Sequence, residues 1–296
     1  MERRLKVIMI DAFKPSYLKH APFLRSLCDK YQHGELDMGV GHWNGVQTVF
    51  EGRSEVIANF YKNNEGSLGY LKQFTFLKYF GKLGRLIIDM LFNFPRWVRG
   101  YELLRTGNIP LDRLWQFDVA IGRHVAKKYC DFFYFGALDQ LGHAYGTESV
   151  EIREAIKKID DEISLMNFDL IFSDHGMISV TDLVRVPITK DFFIDSDMAR
   201  YWGSEEELRE VRKKLPLQFG KIISWDKRYG QLIFLANTGV LIFPNFWNKF
   251  PVKAMHGYDG KHPDMKAFYL LKKEGKKKNL TARQLHGALE AYKKSF

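Results

Sequence analysis

The sequence is poor in cysteine and has no long apolar run, and each shortage excludes a class of protein. Its 296 residues contain only two cysteines, Cys28 and Cys130, which are too few for a disulfide framework. No stretch approaches the roughly 18 apolar residues that a membrane-spanning helix needs. The apolar run Lys6–Ile10 follows a basic N-terminus but is too short for the core of a signal peptide. We therefore expect a cytoplasmic protein.

The balance of charge is the second informative property. Lys and Arg number 45 against 35 Asp and Glu, which gives a formal net charge of +10. A basic surface attracts phosphates, whether they belong to nucleic acid, to anionic lipid headgroups or to small substrates. Because no nucleic-acid-binding motif accompanies the charge, nucleic acid is a disfavoured partner. The charge does not choose among the other phosphates. The expected substrate is a phosphorylated small molecule, or a glycan- or lipid-linked phosphate.

Short apolar runs alternate with segments of helical periodicity. The predicted strands are Lys6–Ile10, Asp131–Ala137, Phe168–Phe172, Ala267–Leu271, and a hairpin formed by Gln231–Ala236 and Val240–Phe243 around Asn237-Thr238-Gly239. The predicted helices are Tyr17–Tyr31, His42–Glu51, Ser149–Met166 and Thr281–Lys294. This alternation predicts an α/β three-layer sandwich with a mostly parallel central sheet. Such sheets bind ligands outside the carboxyl ends of their strands.

Residues 55–128 interrupt this alternation. We predict that they form an inserted, mostly helical cap within a single domain that spans residues 1–296. The insertion is rich in aromatic residues, and between residues 60 and 128 it holds 12 Lys and Arg against 5 Asp and Glu. One interpretation is an ordinary basic helical subdomain. The other is a lid over a phosphorylated or lipid-linked substrate, with residues 74–100 in contact with a membrane surface.

Three aspartates and three histidines fall where the predicted strands should end. They are Asp11, Asp139, His143, Asp174, His175 and His256. Carboxylate oxygens combined with imidazole nitrogens suit Zn²⁺ and, less selectively, Mn²⁺. Six ligands are too many for one tetrahedral ion, but they suffice for two divalent metal ions that clamp a phosphoryl group in one cleft. The sequence therefore predicts a binuclear metal site at one edge of the sheet.

The local spacing of these residues indicates how they converge. Asp139 and His143 are four positions apart, which places both on one face of a helical turn. Asp174 and His175 are neighbours and would diverge in a regular strand, so their convergence requires a turn that Gly176 permits. Each residue alone has an ordinary explanation as a cap, a turn residue or a core histidine. The joint pattern is what carries the prediction.

Four segments of the sequence resemble the type I phosphodiesterase/nucleotide pyrophosphatase family of the alkaline phosphatase superfamily. They are VIMIDAFKPSYL, LDQLGHAYG, IFSDHGM and HGYDGKHPDMKAFYL. The resemblance covers the core at both ends of the chain and implies an alkaline-phosphatase-like fold. It further implies that one metal is held by Asp139, His143 and His256. The other metal would then be held by Asp11, Asp174 and His175.

The resemblance also implies a Ser or Thr nucleophile at a helix N-terminus beside the second metal, and here the sequence departs from the family pattern. No Ser or Thr occurs between residues 27 and 47, and alignment on Gly52 places His42 at the nucleophile position. Three interpretations stay open. Thr48 is the nucleophile; or His42 replaces it, as a ligand of phosphate or metal or as a covalent nucleophile; or no covalent nucleophile remains, and either a metal-bound hydroxide attacks or the protein is inactive.

The combined prediction is a metal-dependent phosphoesterase that hydrolyses phosphodiester or pyrophosphate bonds. The preference for these bonds over monoesters comes from the family resemblance. Asn44 is predicted to donate a hydrogen bond to the substrate phosphate, with an ordinary helix-start residue as the other interpretation. The alternatives are a nucleotide- or phosphoglycan-binding protein with a degraded nucleophile, and a sulfatase or phosphoryl transferase on the same scaffold. No pattern in the sequence indicates an oligomeric state.

Overall fold

The computed structural model describes residues 4–40, 44–52, 129–190, 192–225, 230–245 and 250–295, together with Ile87, Lys227 and Asn248. The chain divides into two compact units. Of the described residues, those from 4 to 40, 44 to 52, 129 to 180 and 252 to 295 belong to the first unit, and those between 181 and 251, with Ile87, belong to the second. Among the described residues, no helix combines the length and the apolar character needed to cross a bilayer.

A six-stranded sheet forms the centre of the first unit. Its strands are β1 (Leu5–Ile10), β2 (Tyr31–Asp37), β3 (Cys130–Phe135), β4 (Leu170–Phe172), β13 (Ala267–Glu274) and β14 (Leu280–Thr281). They are arranged in the order β14-β2-β13-β4-β1-β3. Three of the five strand pairs are parallel, namely β14 with β2, β4 with β1 and β1 with β3. The predicted α/β fold with a mostly parallel central sheet is confirmed at this level.

Helices cover both faces of this sheet. They are α1 (Pro22–Leu27), α2 (Asn44–Glu51), α3 (Ala137–Tyr145), α4 (Val150–Ser164) and α6 (Ala282–Lys293). On one face, Ile152, Ile156, Ile159 and Ile163 of α4 join the buried cluster around Ile8 and Ile171. On the opposite face, Phe50 of α2 packs against Phe132 and Phe172, and α2 contacts α6 through His286. The predicted three layers are therefore present.

The single helix that the sequence predicts over Tyr17–Tyr31 is confirmed only over Pro22–Leu27. The chain instead forms a 3₁₀ turn over Pro15–His20, starts α1 at Pro22, and enters β2 at Tyr31. Proline has no backbone N–H and its ring clashes with the preceding turn, so one helix cannot run through this position. Pro22 occupies the first turn of α1, where it is tolerated. The spacing of the apolar residues alone does not reveal this break in the helix.

The second unit contains a four-stranded sheet and a two-stranded pair. The elements of this unit are β6 Asp182–Val184, β7 Phe192–Ile194, β8 Met198–Tyr201, α5 Glu205–Lys214, β9 Gly220–Ile223, β10 Leu232–Ala236 and β11 Val240–Ile242. The sheet has the order β7-β8-β10-β9, and β6 pairs with β11. All pairs in the larger sheet are antiparallel, whereas β11 and β6 are parallel.

The hairpin predicted around Asn237-Thr238-Gly239 is also wrong. The turn itself forms, since the amide of Val240 donates to the carbonyl of Asn237 at 2.9 Å. However, β10 already pairs with β8 on one edge and with β9 on the other. Because neither edge is left for β11, that strand pairs with β6 instead. The predicted cap at residues 55–128 lies outside the described residues apart from Ile87 and stays a prediction, as does the single-domain organisation.

Candidate metal centre

Asp11 and Asp174 meet at the ends of two neighbouring parallel strands. Asp11 directly follows β1, and Asp174 lies two residues beyond β4, which pairs with β1 through Val7 and Leu170. The amide of Ala12 donates to Asp174 Oδ1 at 3.3 Å. Ala12 has a φ of 59°, an uncommon left-handed conformation for a residue with a side chain. This turn directs the backbone after Asp11 towards the second carboxylate.

Asp139 and His143 lie on α3, which begins directly after β3. Their predicted convergence on one helix face is observed, with His143 Nε2 3.0 Å from Asp139 Oδ1. The other ring nitrogen of His143, Nδ1, lies 2.7 Å from the carbonyl oxygen of Ala254. Both side chains are buried. The helix therefore presents one carboxylate and one imidazole to the same buried space.

Asp174 and His175 do converge, although they are adjacent in sequence. His175 Nε2 lies 3.4 Å from Asp174 Oδ2 and 3.3 Å from Asp11 Oδ1. The expected role of Gly176 needs correction, because its backbone is not in the left-handed region. A Cβ at this position would instead lie 2.1 Å from the carbonyl oxygen of Asp264. Glycine is required here for close approach of two backbones.

His256 reaches the same place on a short two-stranded ribbon. The strands are β5 (Ile178–Ser179) and β12 (Ala254–Met255), which pair antiparallel and place Met255 opposite Ile178. The His256 ring stacks on that of His175 with centroids 3.6 Å apart, and His256 Nε2 lies 3.3 Å from Asp139 Oδ1. The ribbon thus places a third imidazole between the Asp139–His143 pair and the Asp174–His175 pair.

All six side chains singled out in the sequence are therefore brought together. Two groups of three have ligand atoms that all lie within 4.8 Å of one another: Asp11 with Asp174 and His175, and Asp139 with His175 and His256. The first group equals one of the two predicted ligand sets. The second contains His175 in the place where His143 was predicted, while His143 still contacts Asp139. Their roles as metal ligands stay a prediction.

The orientation of two imidazoles fits a bound cation. His143 and His175 each place Nδ1 within 3.0 Å of a backbone carbonyl oxygen. Since a carbonyl only accepts, Nδ1 carries the proton, and in the neutral ring the lone pair is on Nε2. In both residues Nε2 points at carboxylate oxygens, which also carry lone pairs. A positive ion between them removes this repulsion, and histidine ligands of metals commonly donate their other N–H to a carbonyl in this way.

The carboxylates of the site differ in their electrostatic environment. Burial raises the pKa of Asp11 well above its usual value, and the charges of Asp174 and Asp139 act in the same direction. Burial also acts to raise the pKa of Asp139, but the positive charges of His143 and His256 in their protonated form outweigh it and hold that pKa well below its usual value. Three carboxylates this close together favour a nearby positive charge. The donor set therefore fits one or two divalent cations.

The structure also reveals a contact that no pattern in the sequence indicates. The hydroxyl of Tyr134 donates a short hydrogen bond to Asp11 Oδ2. Tyr134 lies on β3, opposite Met9 of β1. Gly136 leaves room for its ring, since a Cβ there would lie 2.6 Å from the Tyr134 hydroxyl. This hydrogen bond occupies one carboxylate oxygen of Asp11 and leaves Oδ1 directed at His175.

The candidate nucleophiles lie on or before α2. Thr48 is half-buried in the second turn of that helix, so it is more than one turn inside, as alignment on Gly52 predicts. Gly52 ends the helix with a φ of 70°. Asn44 is the first residue of α2, and His42 lies outside the described residues. All three interpretations of the nucleophile therefore stay predictions.

No protein-family model matches the sequence, and no curated protein is similar enough to be recognised as a relative. Solved structures of ectonucleotide pyrophosphatase/phosphodiesterase 5 do share the fold of this chain, which is alkaline-phosphatase-like. Murine ectonucleotide pyrophosphatase/phosphodiesterase 5 is 14% identical with a TM-score of 0.63, and the human protein is 16% identical with a TM-score of 0.64. A murine threonine-to-alanine variant, described as inactive and solved in complex with AMP, is 15% identical with a TM-score of 0.63. Each match covers 99% of this chain and 95% of the other.

Proposed function

We propose that this protein is a phosphoesterase that depends on two divalent metal ions and hydrolyses phosphodiester or pyrophosphate bonds. The observation that carries the proposal is the pair of buried three-residue groups that share His175. Two such groups at one sheet edge suit a pair of ions that act on a single phosphoryl group. The fold, shared with phosphodiesterases, supports the same reaction class at a coarse level.

We assign the six ligands to two ions. Asp11, Asp174 and His175 would hold one ion, and Asp139, His143 and His256 the other, with His175 close enough to the second group to contribute there. When bound, the ions would neutralise the phosphate and stabilise its attacking and leaving oxygens. Zn²⁺ is the favoured metal because the set combines imidazole nitrogens with carboxylate oxygens, and Mn²⁺ is the alternative.

The chain's own groups orient these ligands. The carbonyl oxygens of Ala254 and Gly176 fix the rings of His143 and His175 so that each directs Nε2 into the site. The Tyr134 hydroxyl restrains one oxygen of Asp11. Orientation of this kind matters because ligands that are already in place lose little freedom when a metal binds.

We assign Thr48 as the attacking hydroxyl and keep His42 as its competitor. In one fold neighbour, replacement of a threonine by alanine is described as inactivating. Thr48 is the first Ser or Thr of this chain after Ser26. The position of Thr48 in the second turn of α2 argues against this assignment, because the family pattern expects the nucleophile at the helix N-terminus. Asn44, at the first position of that helix, would donate a hydrogen bond to the phosphate.

The proposed substrate is a nucleotide or a related phosphorylated small molecule. The complex of one fold neighbour with AMP and the net charge of +10 both support it. A glycan- or lipid-linked phosphate, reached through membrane contact of residues 74–100, is the alternative substrate class. The cytoplasmic location stays a prediction.

Turnover of simple esters tests the proposed reaction. We expect the Zn²⁺- or Mn²⁺-loaded protein to hydrolyse bis-p-nitrophenyl phosphate faster than p-nitrophenyl phosphate or p-nitrophenyl sulfate. Asp139→Asn should abolish this activity, whereas Asp131→Asn, a change to an exposed aspartate of β3 that pairs with Arg4, should leave it intact. Preferential cleavage of the sulfate ester would instead assign the protein to the sulfatases.

A binding protein is the second candidate function, and one observation favours it. The segment from residue 27 to residue 47 contains no Ser or Thr where the related pattern expects the nucleophile. Such a protein would bind metal and AMP but release neither AMP nor nitrophenol from any ester. Calorimetry with AMP on the metal-loaded protein, run beside the ester assays, separates the two functions.

A further inference from the structure

Lys14 is a buried cation three residues after Asp11. Its side chain is only 3% exposed, yet Nζ lies 3.2 Å from Asp264 Oδ1 and 3.5 Å from Glu148 Oε1. The two carboxylates are 36% and 58% exposed, so they reach inward from the surface to meet the lysine. A buried ion pair costs desolvation energy and is weak evidence for a contribution to stability. The placement of Lys14 indicates instead that it positions the chain segments that it contacts.

Asp264 belongs to the segment that links His256 to β13. It lies in a 3₁₀ turn, Pro263–Met265, and its backbone carbonyl packs directly against Gly176. The amide of Gly176 also donates to the carbonyl of Met265 at 3.2 Å. A shift of this turn would therefore displace the backbone next to His175. Lys14 ties the turn to the segment that carries Asp11.

Glu148 belongs to a different segment, between α3 and α4. Thr147 beside it accepts a hydrogen bond from the Tyr17 hydroxyl at 3.0 Å, and the Lys14 ammonium lies 5.1 Å from the centre of the Tyr17 ring. Residues 147 and 148 follow the helix that carries His143. The same ammonium thus contacts carboxylates from two segments that each adjoin a proposed metal ligand.

We propose that Lys14 is a positioning residue of the metal centre: it links the segments after Asp11, after His143 and after His256, so that their ligands converge before metal binds. This inference rests on the proposed metal site. It concerns the arrangement of ligands in the metal-free protein, so metal affinity is the property that it governs. The surrounding charges that face Lys14 are Glu148 and Asp264, and Lys19 contacts Glu148 from the solvent side.

Metal affinity of four variants tests the inference. Metal-free full-length protein is titrated with Zn²⁺ against a chelator, and Co²⁺ binding is followed by its visible absorption spectrum. Lys14→Met keeps most of the apolar stem and removes the charge, and we expect affinity to fall about tenfold or more, as for other residues that support metal ligands. Lys14→Arg should restore affinity to within about threefold, because it returns the cation. A Co²⁺ spectrum altered in Lys14→Met and restored in Lys14→Arg would show that ligand geometry has changed.

Lys19→Met is the matched control. Lys19 contacts the same glutamate at 3.4 Å but is 54% exposed, so its variant should bind metal like the wild type. Asp264→Asn is the second test, because it breaks the pair from its solvent-exposed side and decides the question if Lys14→Met does not fold. Asp264→Asn should also weaken metal binding. Wild-type affinity in Lys14→Met or, failing that, in Asp264→Asn overturns the inference while the proposed function stands; a wild type that binds no metal overturns both.

Discussion

His175 stacks on His256 with the ring planes 7° from parallel and the centroids 3.6 Å apart. His175 also contacts Asp11 and Asp174, and His256 contacts Asp139. The two imidazoles therefore join the two groups of carboxylates into one site. Because of this contact we treat the two groups as one proposed centre for two ions and not as two independent sites.

The shared position of His175 predicts an unequal effect of histidine substitutions. We expect His175→Ala to weaken both bound ions by about tenfold or more, because His175 belongs to both groups. His256→Ala should weaken one ion only. Calorimetric titration of the metal-free protein measures the affinity for each ion. His33→Ala, on β2, is the control. Two ions held at wild-type affinity in His175→Ala would reject the single centre.

The assignment of the nucleophile predicts a split between catalysis and metal binding. Thr48→Ala should lower kcat by roughly a thousandfold or more, since removal of a nucleophile costs at least this much in well-studied hydrolases. The metal content should stay unchanged, and Thr48→Ser should recover part of the activity. His42→Ala should have a milder effect. If His42→Ala proves the more damaging of the two, Thr48 is not the attacking group.

The close approach at Gly176 predicts a steric effect on the site. In Gly176→Ala the new Cβ would lie 2.1 Å from the backbone oxygen of Asp264, so one segment must move. We expect a loss of about 1–3 kcal/mol in the free energy of unfolding, together with weaker metal binding. Gly287→Ala is a matched control in α6, where a Cβ meets nothing within 4 Å. It should stabilise the protein by about 0.5–1 kcal/mol. Wild-type stability in Gly176→Ala would contradict the observed contact.

Asp160 explains how α1 can begin where it does. This buried residue of α4 accepts hydrogen bonds from the amides of Phe23 and Leu24 at 2.8 and 2.9 Å. It therefore satisfies the first amides of α1 from a distant part of the chain. We expect Asp160→Ala to cost about 1–3 kcal/mol in urea unfolding, because it leaves these buried amides without an acceptor. Asp161→Ala, on the exposed side of α4, should change stability by under about 0.5 kcal/mol; an equal effect of both would contradict the capping role.

The parts of the fold that the sequence predicted are those with strong local periodicity. Ile152, Ile156, Ile159 and Ile163 are spaced for one helix face and are buried as expected. Helix α6, Ala282–Lys293, lies within the predicted range Thr281–Lys294, and Thr281 caps it by accepting a hydrogen bond from the amide of Gln284. The helix predicted over residues 17–31 is confirmed only over Pro22–Leu27, because Pro22 starts a new helix there. The hairpin at 237–239 was wrong because β10 pairs with β8 and β9. Tertiary pairing of this kind leaves no local signal.

The site was predictable only in part for the same reason. Asp and His at strand ends can be found in a sequence because the carboxyl ends of parallel strands meet at one edge. The contact of Tyr134 with Asp11 depends on the register between β3 and β1, and the contacts of Lys14 depend on two distant segments. Neither relationship appears in residue spacing. Both concern the support of the ligands and not their identity.

The metal content of the purified protein tests the two-ion centre most directly. Elemental analysis after equilibration with Zn²⁺ and removal of free metal should find about two ions per chain. In Asp174→Asn the content should fall, and the ion retained should be the one assigned to Asp139, His143 and His256. A wild type that retains no stoichiometric Zn²⁺ or Mn²⁺ would contradict the metal centre and the function proposed from it.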